Sequence, residues 1–191
     1  MLRWFMKQTQ QNLLKAFAGE SQARNKYTTF AKIARKENLE WVARVFEETA
    51  DNERTHAEEL FELITEPVQT EGDLGIIPFY KTTKENLEVA AEGERYEWTK
   101  MYPDFEKIAV EEGETEPARL FRELKEVEEN HEERYIIIAK KMDSKTLYDS
   151  EVELEWKCVN CGYIHKGKTP PPTCPLCKKP FSWYMPLGLV R

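Results

Sequence analysis

The sequence predicts a mainly α protein: a four-helix bundle with one long crossover, followed by a small metal-knuckle domain. Three observations carry this. Four long stretches repeat apolar residues every three or four positions, the period of a helix with one buried face. The breaks between them are short, long and short. All four cysteines fall in two Cys-x-x-Cys pairs near the C-terminal end.

The first helix is expected from about Thr9 to Glu37, with Asn38 ending it and capping the next, which runs to about Thr65. Residues 66–83 break the pattern with Pro67, Gly72, Gly75 and Pro78. The third helix is expected from near Thr83 to near Gly113. Thr115 and Pro117 read as an N-cap and an early-turn proline, and the fourth helix then runs to about Met142. Two hairpins joined by one long connection define the ferritin-like kind of bundle.

The helical stripes are Leu13, Phe17, Glu20, Arg24, Tyr27; Val45, Thr49, Glu53, His56, Leu60; Leu87, Ala90, Glu94, Glu97, Met101; and Phe121, Leu124, Glu128, His131, Tyr135. Such a face points at the core, where an ionised carboxylate is costly unless a positive charge pairs with it. The five inward glutamates and two inward histidines lack enough lysine or arginine on the same stripes. Bound metal resolves the conflict. Glu-x-x-His places both side chains on one face, one turn apart. It occurs as Glu53/His56 and as Glu128/His131, and Glu20 and Glu94 add a carboxylate from each remaining helix. One glutamate from each of two helices, with Glu-x-x-His from the other two, is the ligand pattern of di-iron and di-manganese bundles. Oxygen and imidazole donors suit iron or manganese.

The two hairpins are copies. Gly19-Glu20 matches Gly93-Glu94 at an offset of 74, and after one inserted residue the offset becomes 75. Phe30, Lys32, Ile33 and Ala34 then match Phe105, Lys107, Ile108 and Ala109. Ala43, Arg44, Phe46, Glu48, Glu53 and His56 match Ala118, Arg119, Phe121, Glu123, Glu128 and His131. A duplicated hairpin implies a pseudo-twofold site, each half supplying equivalent ligands to one of two ions.

The domains divide as a bundle over 1–142, a linker over 143–155 and a cysteine domain over 156–191. Cys158, Cys161, Cys174 and Cys177 have the spacing of one tetrahedral four-thiolate site, and zinc and iron fit that spacing equally. Gly162 follows the second cysteine, a place for positive φ. Phe181, Trp183 and Tyr184 read as the mini-core, and His165 as a surface residue.

Of 191 residues, 30 of the 35 acidic ones are glutamate, and the net charge is -7. The glutamate excess fits a helix-rich chain, and the acidic balance argues against nucleic acid as the main partner. No segment reaches the ~20 apolar residues that span a bilayer. Met1 to Lys7 lacks the pattern of a signal peptide. A cytoplasmic location is the expectation, and cysteines confined to such pairs agree with a reducing compartment.

With these residues placed, the chain resembles the rubrerythrin family over nearly its whole length. The matching pieces are Ala16-Phe-Ala-Gly-Glu-Ser-Gln-Ala-Arg-Asn25, Glu53-x-x-His56, Gly93-Glu94-x-x-Glu97, Met101-Tyr-Pro103, Glu128-x-x-His131, Cys158-x-x-Cys-Gly-Tyr163 and Cys174-Pro-x-Cys177. The resemblance implies a non-haem di-iron bundle and a rubredoxin-like domain with one iron on four cysteines. It implies reduction of hydrogen peroxide to water in oxidative-stress defence, with electrons arriving through the cysteine-bound iron from rubredoxin or an NAD(P)H-dependent reductase. Glu20 and Glu53 would serve one iron, Glu94 and His131 the other, with Glu53 and Glu128 bridging. Glu97 and His56 would exchange on the first iron as it is oxidised and reduced, and Tyr27 and Tyr102 would hydrogen-bond the carboxylates. A head-to-tail homodimer is also implied. One departure is Lys178, where rubredoxins usually have glycine. Two other classes stay open from the residues: a ferritin-type ferroxidase with a structural zinc ribbon, and a non-catalytic redox sensor.

Overall fold

In the computed structural model, residues 7–65, 67–69 and 82–188 are described. The middle of the expected crossover, 70–81, and the start of the N-terminal segment, 1–6, lie outside them. Helix α1 spans Gln8–Lys36 and α2 spans Glu40–Glu62. The third rod is compound: α3 (Thr83–Tyr96), a π-helical turn (Glu97–Met101) and α4 (Tyr102–Glu111). Helix α5 spans Thr115–Asp143. Among the described residues no helix is long and apolar enough to cross a membrane.

The helix ends follow from local chemistry. Asn38 has φ 59, and the Leu39 amide returns 2.9 Å to the Ala34 carbonyl while the Asn38 amide reaches Arg35 at 3.0 Å. This paired closure uses one left-handed residue to satisfy two terminal carbonyls. Gly113, Asn38's counterpart in the second hairpin, closes the third rod in the same way, with φ 75 and a 2.8 Å bond from Glu114 to Ala109. Asn38 therefore ends α1 as expected but does not cap α2; Leu39 holds that position without a side-chain bond. Likewise Glu114, not Thr115, precedes α5. Thr82 caps α3 in a reciprocal box with Glu85, satisfying two otherwise orphaned amides.

Two apolar clusters fill the bundle. One gathers Tyr27, Phe30, Trp41, Phe46, Leu87, Tyr135 and Ile138; the other gathers Leu13, Ala16, Leu60, Tyr102, Phe121 and Leu124. On every rod the inward glutamate lies between residues of the two clusters, so the carboxylates form a polar layer inside an apolar sleeve. Phe121 is fully buried, with ring centroids 5.5 Å from Phe105 and 6.1 Å from Tyr102. Truncating it to alanine costs about 3–5 kcal/mol. One stripe residue departs from expectation: Arg24 is exposed, because its long charged side chain escapes burial that glutamate, held by partners, does not.

The C-terminal unit is a three-stranded antiparallel sheet in the order β2-β1-β3, with β1 at Leu154–Cys158, β2 at Ile164–Gly167 and β3 at Tyr184–Pro186. Among the described residues its buried core is Trp156, Cys158, Cys174 and Tyr184, with Leu154, Cys161, Cys177 and Trp183 packed at the edge. A core this small needs a staple. Phe181 is not part of it. Its ring is 44% exposed and meets Tyr148 edge-on at 4.9 Å. His165 is half-buried opposite Trp156 rather than on the open surface. The segment expected to be a plain linker also packs. Leu147 is 6% exposed within the bundle's first cluster, and Tyr148, Val159 and Met185 rest on that cluster.

Candidate functional site

Glu53 and His56 project from α2 and Glu128 and His131 from α5, each pair one turn apart. Glu20 comes from α1 and Glu94 from α3. The structure gathers these six into two quartets, Glu20, Glu53, His56, Glu128 and Glu53, Glu94, Glu128, His131. Within each quartet the donor atoms lie within 4.8 Å of one another. Glu53 and Glu128 belong to both. His56 Nδ1 lies 2.7 Å from Glu53 Oε2 and 3.2 Å from Glu128 Oε1. His131 Nδ1 lies 2.8 Å from Glu128 Oε2 and 3.3 Å from Glu53 Oε1. Each shared carboxylate thus turns one oxygen to each half, as a bridging ligand does.

All six side chains are buried. Eight of their donor atoms make no well-directed hydrogen bond, the close contacts among Glu53, Glu128 and the histidines included: Glu20 Oε2, both oxygens of Glu53 and of Glu128, Glu94 Oε2, and Nδ1 of both histidines. Buried carboxylates left short of hydrogen bonds are strongly unfavourable, and here the undirected lone pairs converge on two points. The donor set and its orphaned atoms fit two oxygen-and-nitrogen-ligated metal ions. The remaining oxygens are held from outside. Tyr27 Oη donates to Glu94 Oε1, and Tyr102 Oη donates to Glu20 Oε1, orienting carboxylates that would bind metal through their other oxygen.

Electrostatics express the same convergence. Burial raises Glu20 and Glu94 well above the ordinary carboxylate range, and the neighbouring glutamates add to it. Burial opposes protonation of His56 and His131, yet Glu128 and Glu53 outweigh it, carrying them up to about 10 and about 9. Burial would raise Glu53 too, but the two histidines pull it down to about 2. The protein alone holds protons where two cations would otherwise sit.

Glu97 stands apart from both quartets. It opens the π-turn, its carboxyl group shares a hydrogen bond with Glu94, and burial followed by the charges of Glu128 and Glu53 lifts it to about 8. The inserted residue between the two repeats is this π-turn. Seven helical residues from Glu20 to Tyr27 return to within about 20° of the same face, whereas the eight from Glu94 to Tyr102 overshoot by about 80°. The wider turn absorbs the extra residue, a frequent origin of such turns at functional sites. It restores Tyr102 to the inward face.

At the other site, Cys158 Sγ lies 3.6 Å from Cys177 Sγ, and Cys161 Sγ 3.7 Å from Cys174 Sγ. Four sulfurs about 2.3 Å from a central ion form a tetrahedron with edges of about 3.8 Å, so the four fit one ion. Gly162 and Lys178, at φ 78 and 62, close the two knuckles with bonds of 2.8 and 3.0 Å back to Cys158 and Cys174. The amides of Cys161 and Asn160 face Cys158, and those of Cys177 and Leu176 face Cys174. The buried Tyr184 hydroxyl also faces Cys174. Cysteine spacing carried no sign of it.

The chain matches the rubrerythrin family model over residues 11–138 and the rubredoxin-like domain of rubrerythrin over 156–183. It is 42% identical to rubrerythrin-1 of Clostridium acetobutylicum over 180 residues, covering 92% of each chain. It is 40% identical to rubrerythrin of Nitratidesulfovibrio vulgaris over 186 residues, covering 95% of each. A solved structure of nigerythrin in a mixed-valence state superposes with TM-score 0.64 at 36% identity, covering 93% of this chain and 86% of that one. Rhodobacter capsulatus bacterioferritin, at 20% identity and TM-score 0.66 over 73% of this chain and 88% of that one, shares the fold. The ligand sets agree with a di-iron site in the bundle and a rubredoxin-like four-cysteine iron site. By matched domains, identity over nearly the full length and site geometry, this chain belongs to the rubrerythrin family.

Proposed function

We propose that the protein is a non-haem di-iron peroxidase that reduces hydrogen peroxide to water, with electrons entering through the four-cysteine site. The observation that carries this reading is the pair of quartets sharing Glu53 and Glu128, with a fifth carboxyl group, Glu97, beside them on the π-turn. Reduction of one peroxide takes two electrons and two protons and yields two waters. Two bound iron ions would supply the two electrons at the O–O bond. Glu20 and His56 would hold one ion, Glu94 and His131 the other, and Glu53 and Glu128 would join them. Glu97 can keep or release a proton at its carboxyl oxygen as the charge between the quartets changes; exchanging with His56 on the first ion is its further role in this reading. Tyr27 and Tyr102 keep Glu94 and Glu20 oriented. The apolar clusters on both sides exclude bulk water.

The family resemblance supports a head-to-tail homodimer in a reducing cytoplasm, with rubredoxin or an NAD(P)H-dependent reductase as donor. The direct test is an anaerobic peroxide titration of the reduced, iron-loaded protein, followed by visible absorption. Oxidation of both sites at a fixed peroxide ratio, and turnover with a reductase, are expected. Zinc in the cysteine site of protein from native cells, with iron oxidation but no peroxide turnover, would instead establish the ferroxidase alternative.

A further inference from the structure

We propose that Glu132 is a positioning residue that latches the π-turn through Trp98 and Arg95 and so holds Glu97 against the carboxylate layer. Glu132 is 6% exposed on α5. One of its oxygens accepts from Arg95 Nε at 2.6 Å, the other from Trp98 Nε1 at 2.5 Å. The two donors flank the start of the π-turn, Arg95 in the last turn of α3 and Trp98 inside the π-turn itself. The Thr99 hydroxyl bonds back to the Arg95 carbonyl at 2.5 Å, adding to the same junction.

Each latch residue directly follows a member of the carboxylate layer: Arg95 follows Glu94, Trp98 follows Glu97, and Glu132 follows His131. One residue is about 100° around a helix. The latch therefore forms beside the layer, where the third rod meets α5. Trp98 shares a peptide bond with Glu97, so a shift of the indole shifts the carboxylate.

The repeat provides an internal control. At the offsets of 75 and 74, Glu132 corresponds to Ala57 and Arg95 to Ser21, which cannot form this ion pair. The first hairpin has no π-turn in its corresponding helix, α1. Where the second hairpin has its latch, the first has an open groove of about 300 Å³, lined by Ser21 and Ala57 with Phe17 and Phe61. The latch thus occurs only in the half that carries the extra residue. A π-turn is intrinsically less favourable than the α-helix around it, and a buried carboxylate with two donors is a strong local tie.

This inference rests on the proposed role of Glu97 for its consequence, but its test does not require turnover. Hydrogen exchange would be followed by mass spectrometry in the full chain, in wild type, Trp98→Phe, Glu132→Ala and Glu132→Gln. Cobalt(II) loaded into the bundle site reports the ligand field by visible absorption, with Glu97→Ala as reference. Trp98→Phe and Glu132→Ala are expected to speed exchange at residues 97–101 about tenfold, leaving α1 and α2 unchanged. They should also move the cobalt spectrum toward that of Glu97→Ala. Glu132→Gln keeps one acceptor for Trp98 but loses the Arg95 ion pair, and should fall between wild type and Glu132→Ala in both readouts. Wild-type exchange at 97–101, an equal rise over the whole bundle, or a cobalt spectrum unshifted in these variants though shifted in Glu97→Ala would overturn the latch. Should Glu132→Ala not fold, Trp98→Phe and Glu132→Gln decide the matter. Failure of the wild type to reduce peroxide would sink the proposed function and leave these readouts standing.

Discussion

Tyr27 and Tyr102 occupy equivalent repeat positions, and each donates its hydroxyl to the glutamate of the opposite hairpin, Tyr27 to Glu94 and Tyr102 to Glu20. The crossing ties the hairpins together through the carboxylate layer and orients the two terminal carboxylates. Tyr27→Phe or Tyr102→Phe leaves one buried oxygen without its donor. Each substitution is expected to destabilise the metal-free protein by about 1–3 kcal/mol and to weaken metal binding about tenfold. Urea unfolding of the stripped protein and competition with a chelator measure the two effects. Unaltered affinity in both variants would show that the tyrosines do not orient the ligands.

Removal of metal should invert the usual pH profile. His56 and His131, raised to about 10 and about 9, lie above their ordinary 6.5. Their protonation stabilises the fold fully below pH 6.5, and that contribution is lost as pH rises through 9 to 10. Glu97, at about 8, and the raised Glu20 and Glu94 favour the fold while protonated and act in the same direction above pH 4.5. Within this cluster Glu53, at about 2, works oppositely, as Glu47 and Glu112 do outside it, in a window below pH 4.5. Cys174, lowered to about 6, opposes the fall above that pH only in the cysteine domain, so the bundle's helical signal is the one to follow. The urea midpoint of metal-free protein is therefore expected to fall from pH 5 to pH 9. Metal binds the deprotonated ligands, so the added stability of the loaded form grows over the same range. A metal-free midpoint that rises with pH contradicts this account.

Lys178 adopts the left-handed conformation expected from its position, at φ 62. A side chain there costs about 1 kcal/mol relative to glycine. Its ammonium reaches the Pro175 carbonyl at 2.9 Å, but that bond is exposed and offsets little. Lys178→Gly is expected to stabilise the cysteine domain by up to about 1 kcal/mol. Loss of thiolate–metal absorption during guanidinium unfolding checks it, and a lower midpoint for the variant would count against strain at this knuckle.

The legible features were those written within one element. Glu53/His56 and Glu128/His131 could be read because three residues make nearly one helical turn, and the cysteines because two knuckles bind one ion. The slip of repeat offset between Glu94 and Tyr102 recorded the inserted residue, but a one-residue slip does not say whether a loop, a kink or a π-turn absorbs it. Trp98 and Glu132 left no signal, since their meeting depends on how the third rod crosses α5. At Asn38 the composition suited both a helix end and a helix start, and backbone closure chose the end. Glu97 could be placed on the inward face, yet its separation from the quartets follows from the π-turn geometry.

The segment after α5 gives the sharpest departure, and a direct test. The apolar residues of 143–155, Leu147, Tyr148, Val152 and Leu154, show no core-forming period, so the segment reads as a linker. Leu147 nevertheless packs with Ile138 and Trp41 in the bundle cluster, while Tyr148 meets Phe181 of the cysteine domain. Leu147→Ala is expected to lower bundle stability by about 2–4 kcal/mol, although the residue belongs to no helix. Glu151→Ala, an exposed change four residues on, should stay within about 0.5 kcal/mol of wild type. Tyr148→Ala should loosen the cysteine domain from the bundle by removing an edge-on aromatic pair worth about 0.5–1.5 kcal/mol. Helix-monitored unfolding of all three variants separates these effects. Equal stability of Leu147→Ala and Glu151→Ala would return the segment to a passive tether.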